Sequence, residues 1–173
     1  MTPRHDHSPS LHQVHLLRHA HAGDPERWDG PDAVRPLSRK GRRQAERLGA
    51  FLAGAGLRPD RIITSPKVRA AQTAAIVGAA LGVEPEEDEL LAQGCDLADL
   101  DAMLRASGAR EPMIVGHDPD LSELLSVLVG ARGQVMRKGA LATIAVRPPL
   151  RPGEGVLRWL VPPELLGGLE PEP

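Results

Sequence analysis

The sequence predicts an α/β protein, a three-layer α/β/α sandwich around a mostly parallel central sheet. Three observations predict it. Short apolar strands alternate with helices that carry one apolar stripe, the pattern of repeated strand–helix–strand units. Three of those strands run straight into reactive side chains: Arg18-His19, Ser65 with Arg69 one turn on, and His117-Asp118. In parallel sheets ligands bind beyond the carboxyl ends of the strands, so chemistry gathered there fits the same architecture. No repeat or linker divides the 173 residues, a length that suits one domain with a sizeable core.

The elements follow in order. Met1 to His12 is polar and Pro-containing and reads as a flexible tail, with the single domain occupying 13–173. Its His5, His7 and His12 are expected to be solvated. Gln13 to Leu17 is a short apolar-rich strand on which His15 packs. His19 to Leu37 contains Gly23, Pro25, Gly30, Pro31 and Pro36 and is a long irregular loop, a kind of segment that is usually functional. Ser38 is an N-cap for a helix over 39–55, whose apolar face is Ala45, Leu48, Leu52 and Ala55. Arg61 to Thr64 is a second strand. Ser65 as N-cap and Pro66 at the first position then open a helix that buries Val68, Ala71, Ala75 and Ala79. Glu84 to Glu89 reads as an acidic connection. Asp96 to Ala106 is a helix with Leu97, Leu100 and Leu104 in register. Pro112 to Val115 is a buried strand, and Pro119 opens a helix turning Leu121, Leu124, Leu125 and Leu128 inward. Ala140 to Val146 and Val156 to Val161 are two further strands.

Composition removes several classes of function. Charged residues make up 25% and the net charge is −2, so no general basic field attracts nucleic acid. Aromatics are only 2%, too few for base-stacking platforms. Cys95 is the one cysteine, so no internal disulfide points to an oxidising compartment. No apolar run approaches the about eighteen residues of a membrane span, and no hydrophobic leader precedes the domain. A soluble cytoplasmic protein without nucleic-acid or membrane partners is expected.

Arg18, His19, Arg69 and His117 form the chemical constellation. Two guanidinium forks match the oxygens of a tetrahedral dianion, and Arg69 in the first turn of a helix adds free N–H groups and a favourable dipole. No serine sits in a nucleophile-elbow pattern, and Cys95 has no basic neighbour in sequence. Histidine remains as the nucleophile. A neutral imidazole attacks phosphorus through one nitrogen when the other is pinned as a donor, here by a backbone carbonyl of the loop 20–24. The arginines and a protonated His117 would stabilise charge on the equatorial oxygens. The competing metal reading uses His19, His21 and Asp24, an H-x-H-x-x-D set, with His117 and Asp118. It lacks ligands at later strand ends, and Arg18 and Arg69 would repel a dication, so neither metal nor cofactor is expected.

The segments "LLRHAHA", "RPLSRKG", "SPKVRAAQTA" and "VGHDPDLSELL", in this order and spacing, resemble the histidine phosphatase superfamily, which also holds the cofactor-dependent phosphoglycerate mutases. The short length and the "RHA…RPLS…G" arrangement are most similar to its small branch, the SixA-type phosphohistidine phosphatases. The resemblance covers about 13–146. It implies a phosphoglycerate mutase-like fold, His19 as the phosphorylated nucleophile, and Arg18, Arg69 and His117 as the phosphate pocket. Two departures stand out. Ala20 replaces the glycine of the family's "RHG", a small residue that should preserve the turn. Asp118 follows His117 where similar small members carry Asn; in the acid phosphatase branch a His-Asp pair supplies the proton donor.

Asp118 is thus a candidate general acid, and equally a helix cap before Pro119. Glu89 in "EDELL" is the other candidate acid, in the place of the mutases' glutamate, and equally a solvated turn. His21, Arg35 and Lys138 are candidate substrate contacts at the pocket, with Arg35 alternatively anchoring the loop. An imidazole leaving group, titrating near about 6.5, departs easily, whereas an alkoxide needs a proton in the transition state. An uncertain acid therefore favours phosphohistidine in a protein as the substrate, ahead of a small phosphorylated metabolite. The alternatives are a phosphomonoesterase or a mutase-like enzyme, and more distantly a metal-dependent hydrolase or a non-catalytic phosphate-binding module.

Overall fold

A computed structural model of the protein describes residues 11–166. The remainder of the predicted tail, with His5 and His7, lies outside the described residues. The strands are β1 (His12–Arg18), β2 (Arg61–Thr64), β3 (Pro85–Glu87), β4 (Pro112–Gly116), β5 (Leu141–Val146) and β6 (Val156–Val161). The helices are α1 (Arg39–Gly54), α2 (Val68–Leu81), α3 (Leu90–Gln93), α4 (Leu97–Ser107) and α5 (Asp120–Val129). One sheet has the order β3-β2-β4-β1-β5-β6. Its first four strands are parallel, and β5 and β6 close it antiparallel. Mostly parallel is therefore the observed sheet.

Alternation along the strands builds the layers. Val14 and Leu16 of β1 and Ile114 of β4 pack with Leu100 and Leu104 of α4 and Leu121, Leu125 and Leu128 of α5. Leu17, Met113, Val115 and Ile62 pack on the other face with Ala45, Leu48 and Leu52 of α1 and Ala70, Ala74 and Val77 of α2. β1 and β4 are thus buried on both faces, as central parallel strands are. Each fully buried leucine contributes about 1.5–3 kcal/mol. His15 sits inside this sheet with no exposure, its Nδ1 2.8 Å from Thr143 Oγ1 and its Nε2 3.3 Å from Glu111 Oε1. Burial lowers its pKa to about 4, against a weaker upward pull from Asp60.

Several expectations need correction. β1 begins at His12, which pairs with Val146, so the polar residue assigned to the tail belongs to the sheet. Ala55 is exposed, because the helix ends at Gly54. α2 starts three residues after Ser65 and buries Ala70, Thr73, Ala74, Val77, Gly78 and Leu81, not the stripe through Ala75 and Ala79. Alanines on all sides of α2 left two stripes equally apolar in sequence, and the later start selected the other one. The acidic connection hides the edge strand β3, paired to β2 through Pro85, Glu86 and Glu87. Only an edge strand tolerates proline and two glutamates, and none of the three has strand propensity.

Ser38 caps α1 by accepting from Gly41 N–H at 3.1 Å, and its own N–H donates to the His21 carbonyl at 3.0 Å. Gly41 presses directly on that same carbonyl, where any Cβ would collide with backbone. The glycine of "RPLSRKG" thus lets the first turn of α1 lie on the loop that leaves β1. Gly41→Ala is expected to push helix and loop apart, at a cost of about 1–3 kcal/mol. Thermal unfolding checks this: a variant as stable as the parent would show that the contact yields freely.

Candidate active site

β1, β4 and β2 lie side by side, so the residues after their carboxyl ends meet. His19 follows β1 and His117 follows β4. Their ring centroids are 5.2 Å apart with planes tilted by 54°. The turn at His19 is fixed from three sides. Its N–H donates to Gly116 O at 3.0 Å, Ala20 N–H donates to Thr73 Oγ1 at 3.1 Å, and Gly139 N–H donates to the carbonyls of Arg18 and His19 at 3.1 and 3.0 Å. Ala20 has no exposure, and among the described residues only glycines have positive φ, so the turn does not require the family's glycine.

His19 Nδ1–H donates to the Ala20 carbonyl at 2.7 Å, the pinning expected of a loop carbonyl. Nε2 is left as the acceptor, and Arg69 Nε–H donates to it at 3.3 Å. The ring is 5% exposed, and its pKa is lowered to about 3, first by burial and further by His117, Arg69 and Arg18, against the Ala20 hydrogen bond. His19 is therefore a neutral imidazole whose Nε2 lone pair faces Arg69 Nε–H, its tautomer assigned from the hydrogen-bond pattern.

His117 departs from expectation. Burial, then Arg69, Lys67 and Arg18, hold its pKa down at about 4 against a weaker opposing pull from Asp32, so the side chain is neutral here rather than protonated. Its Nε2 lies 2.8 Å from Ser65 Oγ, which itself accepts from Lys67 N–H at 3.3 Å. Ser65 is thus not the cap of α2; it orients His117. With the Ser65 hydrogen aimed at Nε2, the His117 proton rides on Nδ1. That Nδ1 and Arg18 Nε are buried without a hydrogen-bond partner among the described residues. Leaving such a group unpaired costs about 1–3 kcal/mol, so both are candidate donors to an anion.

Arg18 Nη1 donates to Met136 O at 2.7 Å and lies 3.3 Å from Asp118 Oδ2. Asp118 Oδ1 accepts from Ser122 Oγ at 2.8 Å. Pro119 is the N-cap of α5 and Asp118 accepts from the Ser122 hydroxyl rather than from a main-chain N–H of the first turn, so the expectation that Asp118 caps that helix is corrected. Glu89 stands exposed ahead of α3 and makes no hydrogen bond or ion pair to His19, His117, Arg18 or Arg69.

The three rim candidates separate. Arg35 anchors the loop, donating from Nη1 to Ala22 O at 2.7 Å and from Nε and Nη2 to Asp32 Oδ1 at 3.0 and 2.9 Å. His21 joins loop to helix, with its Nδ1 2.7 Å from Ser38 Oγ and its N–H donating to Gln44 Oε1 at 3.0 Å. Lys138 precedes Gly139 at the pocket; partial burial and then Arg18, Arg35 and Arg69 lower its pKa. His19, His21 and Asp24 point to different partners, and among the described residues no three His, Cys, Asp or Glu side chains converge on a common point.

One residue escaped the sequence reading. Asp32, in a short 3-10 turn of the long loop, takes both terminal nitrogens of Arg69: Nη1 donates to its main-chain carbonyl at 2.7 Å and Nη2 to its Oδ2 at 2.8 Å. Hydrogen bonds from Arg35 first, with Arg69 adding, hold the Asp32 carboxyl below the usual carboxylate range. "GPDAVRP" carries no catalytic pattern in sequence, and only the spacing of Asp32 and Arg35, three residues apart, hints at a pair.

Comparison with known proteins agrees with this arrangement. The profile described as histidine phosphatase superfamily (branch 1) matches residues 14–111, more than half of the chain. An uncharacterized protein of Picosynechococcus sp. is 37% identical over 116 residues, covering 64% of this chain and 69% of that protein. Phosphohistidine phosphatase SixA of Escherichia coli is 27% identical over 158 residues, covering 87% of this chain and 94% of that protein. The solved structure of the protein histidine phosphatase SixA complexed with tungstate superposes with a TM-score of 0.77 at 26% identity, over 90% of this chain and 99% of that one. The fold is phosphoglycerate mutase-like, as in that structure. No helix among the described residues is long and apolar enough to cross a membrane. A strand order that sets two histidines and two arginines at one edge, and a profile match that spans the first histidine and the second arginine, lead to one conclusion: the chain is a phosphatase and belongs to branch 1 of the histidine phosphatase superfamily.

Proposed function

We propose that the protein removes the phosphoryl group from phosphohistidine in a protein, through a phosphorylated His19 and without a metal ion. The observation that carries the reading is the state of His19, neutral, pinned at Nδ1 by Ala20 O and presenting Nε2. As substrate enters, Arg69 Nε–H passes from His19 Nε2 to a phosphoryl oxygen; the freed lone pair forms the new N–P bond while the bond from phosphorus to the leaving imidazole, protonated on its other nitrogen, breaks. Arg18, Arg69 and His117 Nδ1–H hold the equatorial oxygens, where positioning and electrostatics supply most of the catalysis. A bound dianion also opposes the forces that depress the pKa of His117, so that ring gains basicity as substrate arrives. Water then cleaves the phosphoenzyme, returning His19 and inorganic phosphate.

The leaving group decides between phosphohistidine and an ester. Both oxygens of Asp118 are engaged, one by Arg18 and one by Ser122, and Glu89 is exposed and bonds none of the four cluster residues. Neither is held ready to deliver a proton to a poor leaving group, which favours substrates that need none. The similarity to SixA, a phosphohistidine phosphatase, supports the same choice. Asp118 beside Arg18 keeps small phosphomonoesters as the second reading.

Turnover of a phosphohistidine protein, p-nitrophenyl phosphate and an alkyl phosphate side by side tests this. kcat/KM is expected to fall by at least about 100-fold from the imidazole to the alkoxide leaving group, the loss of one general-acid contribution. Phosphate trapped on the enzyme is expected to be acid-labile and alkali-stable. Equal rates across the series would place an efficient acid in the site and remove the preference for phosphohistidine.

A further inference from the structure

Asp32 is more than half exposed, yet it fixes a guanidinium that is almost wholly buried. Arg69 meets it through both terminal nitrogens, which leaves the guanidinium plane one orientation, with Nε–H on His19 Nε2. Asp32 is held in turn by the two-pronged bond from Arg35, and Arg35 is tied to Ala22 O, three residues beyond His19. The connections close a ring: His19, Arg69, Asp32, Arg35, Ala22 and back along the chain to His19. Among the described residues no other hydrogen bond joins the middle of the long loop to Arg69, and the loop spans more than ten residues between Ala22 and Arg35 without a regular strand or α-helix to stiffen it.

We propose that Asp32 is a positioning residue for phosphoryl transfer, acting through Arg69 to hold its fork and its Nε–H in register with His19 Nε2. This rests on the reading of His19 as the nucleophile. Asp32 itself contacts neither His19 nor the oxygens to be transferred. Its two carboxylate oxygens face two different arginines, Oδ1 to Arg35 and Oδ2 to Arg69, so both must be acceptors. An asparagine has only one acceptor oxygen, and its amide N–H₂ would be set against one of the two guanidinium groups. A preorganised fork lowers the barrier because it does not have to be arranged during reaction, so its loss appears in the chemical step. The charge works the other way: removing Asp32 leaves the pocket more positive and does not weaken capture of a dianion.

The test is Asp32→Asn in the full-length chain, with Asp29→Asn as a control for charge, since Asp29 is exposed on the same loop and bonds nothing in the site. For Asp32→Asn, kcat is expected to fall at least tenfold with KM unchanged or lower, while Asp29→Asn stays within twofold of the parent. Side-chain ¹⁵N NMR reads the positioning without turnover. The His19 Nε2 resonance is expected to move in Asp32→Asn in the same direction as in Arg69→Ala, with no further change in the double variant. A His19 Nε2 resonance that stays in place, a kcat within twofold of the parent, or a higher kcat from release of a resident anion would each overturn the proposal. If His19→Ala still turned over, the nucleophile assignment would fail instead, and the NMR result would still report whether Asp32 aims Arg69.

Discussion

His19→Ala is expected to reduce turnover of every phosphorylated substrate below detection, a loss of about 10⁵–10⁶ in kcat if the ring is the nucleophile, since removing such a group abolishes the covalent route altogether. The fold is expected to survive. The substitution removes two hydrogen bonds, from Nδ1 to Ala20 O and from Arg69 Nε–H to Nε2, and a buried ring that is costly to protonate, while the turn keeps its backbone bonds to Gly116 and Gly139. Phosphate binding is expected to persist, because Arg18, Arg69 and His117 remain. Steady-state kinetics, ³¹P NMR of added phosphate and thermal unfolding separate the three statements. Hydrolysis retained at even a hundredth of the parent rate would end the assignment.

Arg69→Ala is the second large effect. It removes a two-pronged cation and the donor that meets His19 Nε2, and one lost transition-state donor costs about 10²–10³ in rate. With a guanidinium supplying more than one donor, kcat/KM is expected to fall by about 10³–10⁴. Arg69→Lys is expected to recover little, since an ammonium keeps the charge but not the planar fork. Stability is expected to fall by about 1–3 kcal/mol, since a buried guanidinium loses its bonds to His19 and Asp32. Arg18, Arg35, Arg69 and Lys138 are close enough that Lys138 is depressed by the other three, so removing one cation relieves repulsion as it removes hydrogen bonds. A variant that fails through unfolding, or one that keeps a tenth of the parent kcat/KM, would contradict the role given to Arg69.

Much of this was legible in the chain because it rests on short-range rules. Apolar runs buried on both faces mark β1 and β4, and four leucines at helical spacing mark α5. The meeting of Arg18, His19, Arg69 and His117 was legible because strand ends in a parallel sheet are neighbours whatever their distance in sequence. What stayed hidden depends on tertiary placement. β3 is three residues of proline and glutamate that become a strand only because β2 offers a free edge. The buried stripe of α2 turns on where the helix begins, and a hydroxyl at Ser65 reads as a cap until His117 is seen to need it. Asp32 was invisible for the same reason: its partner Arg69 is 37 residues away, and the link exists only once the loop is laid across α2.

Arg18 is held by a main-chain oxygen of Met136, and the strand end that carries it is bonded by the main-chain N–H of Gly139. Neither attachment reads the side chains of the exposed residues around them, Arg132, Gly133, Val135 and Arg137. Exposed side chains such as Arg132 and Val135 can therefore change without breaking either main-chain bond, whereas Gly133, at φ +79°, and Arg137, paired with Glu164 at 2.7 Å, answer to constraints of their own.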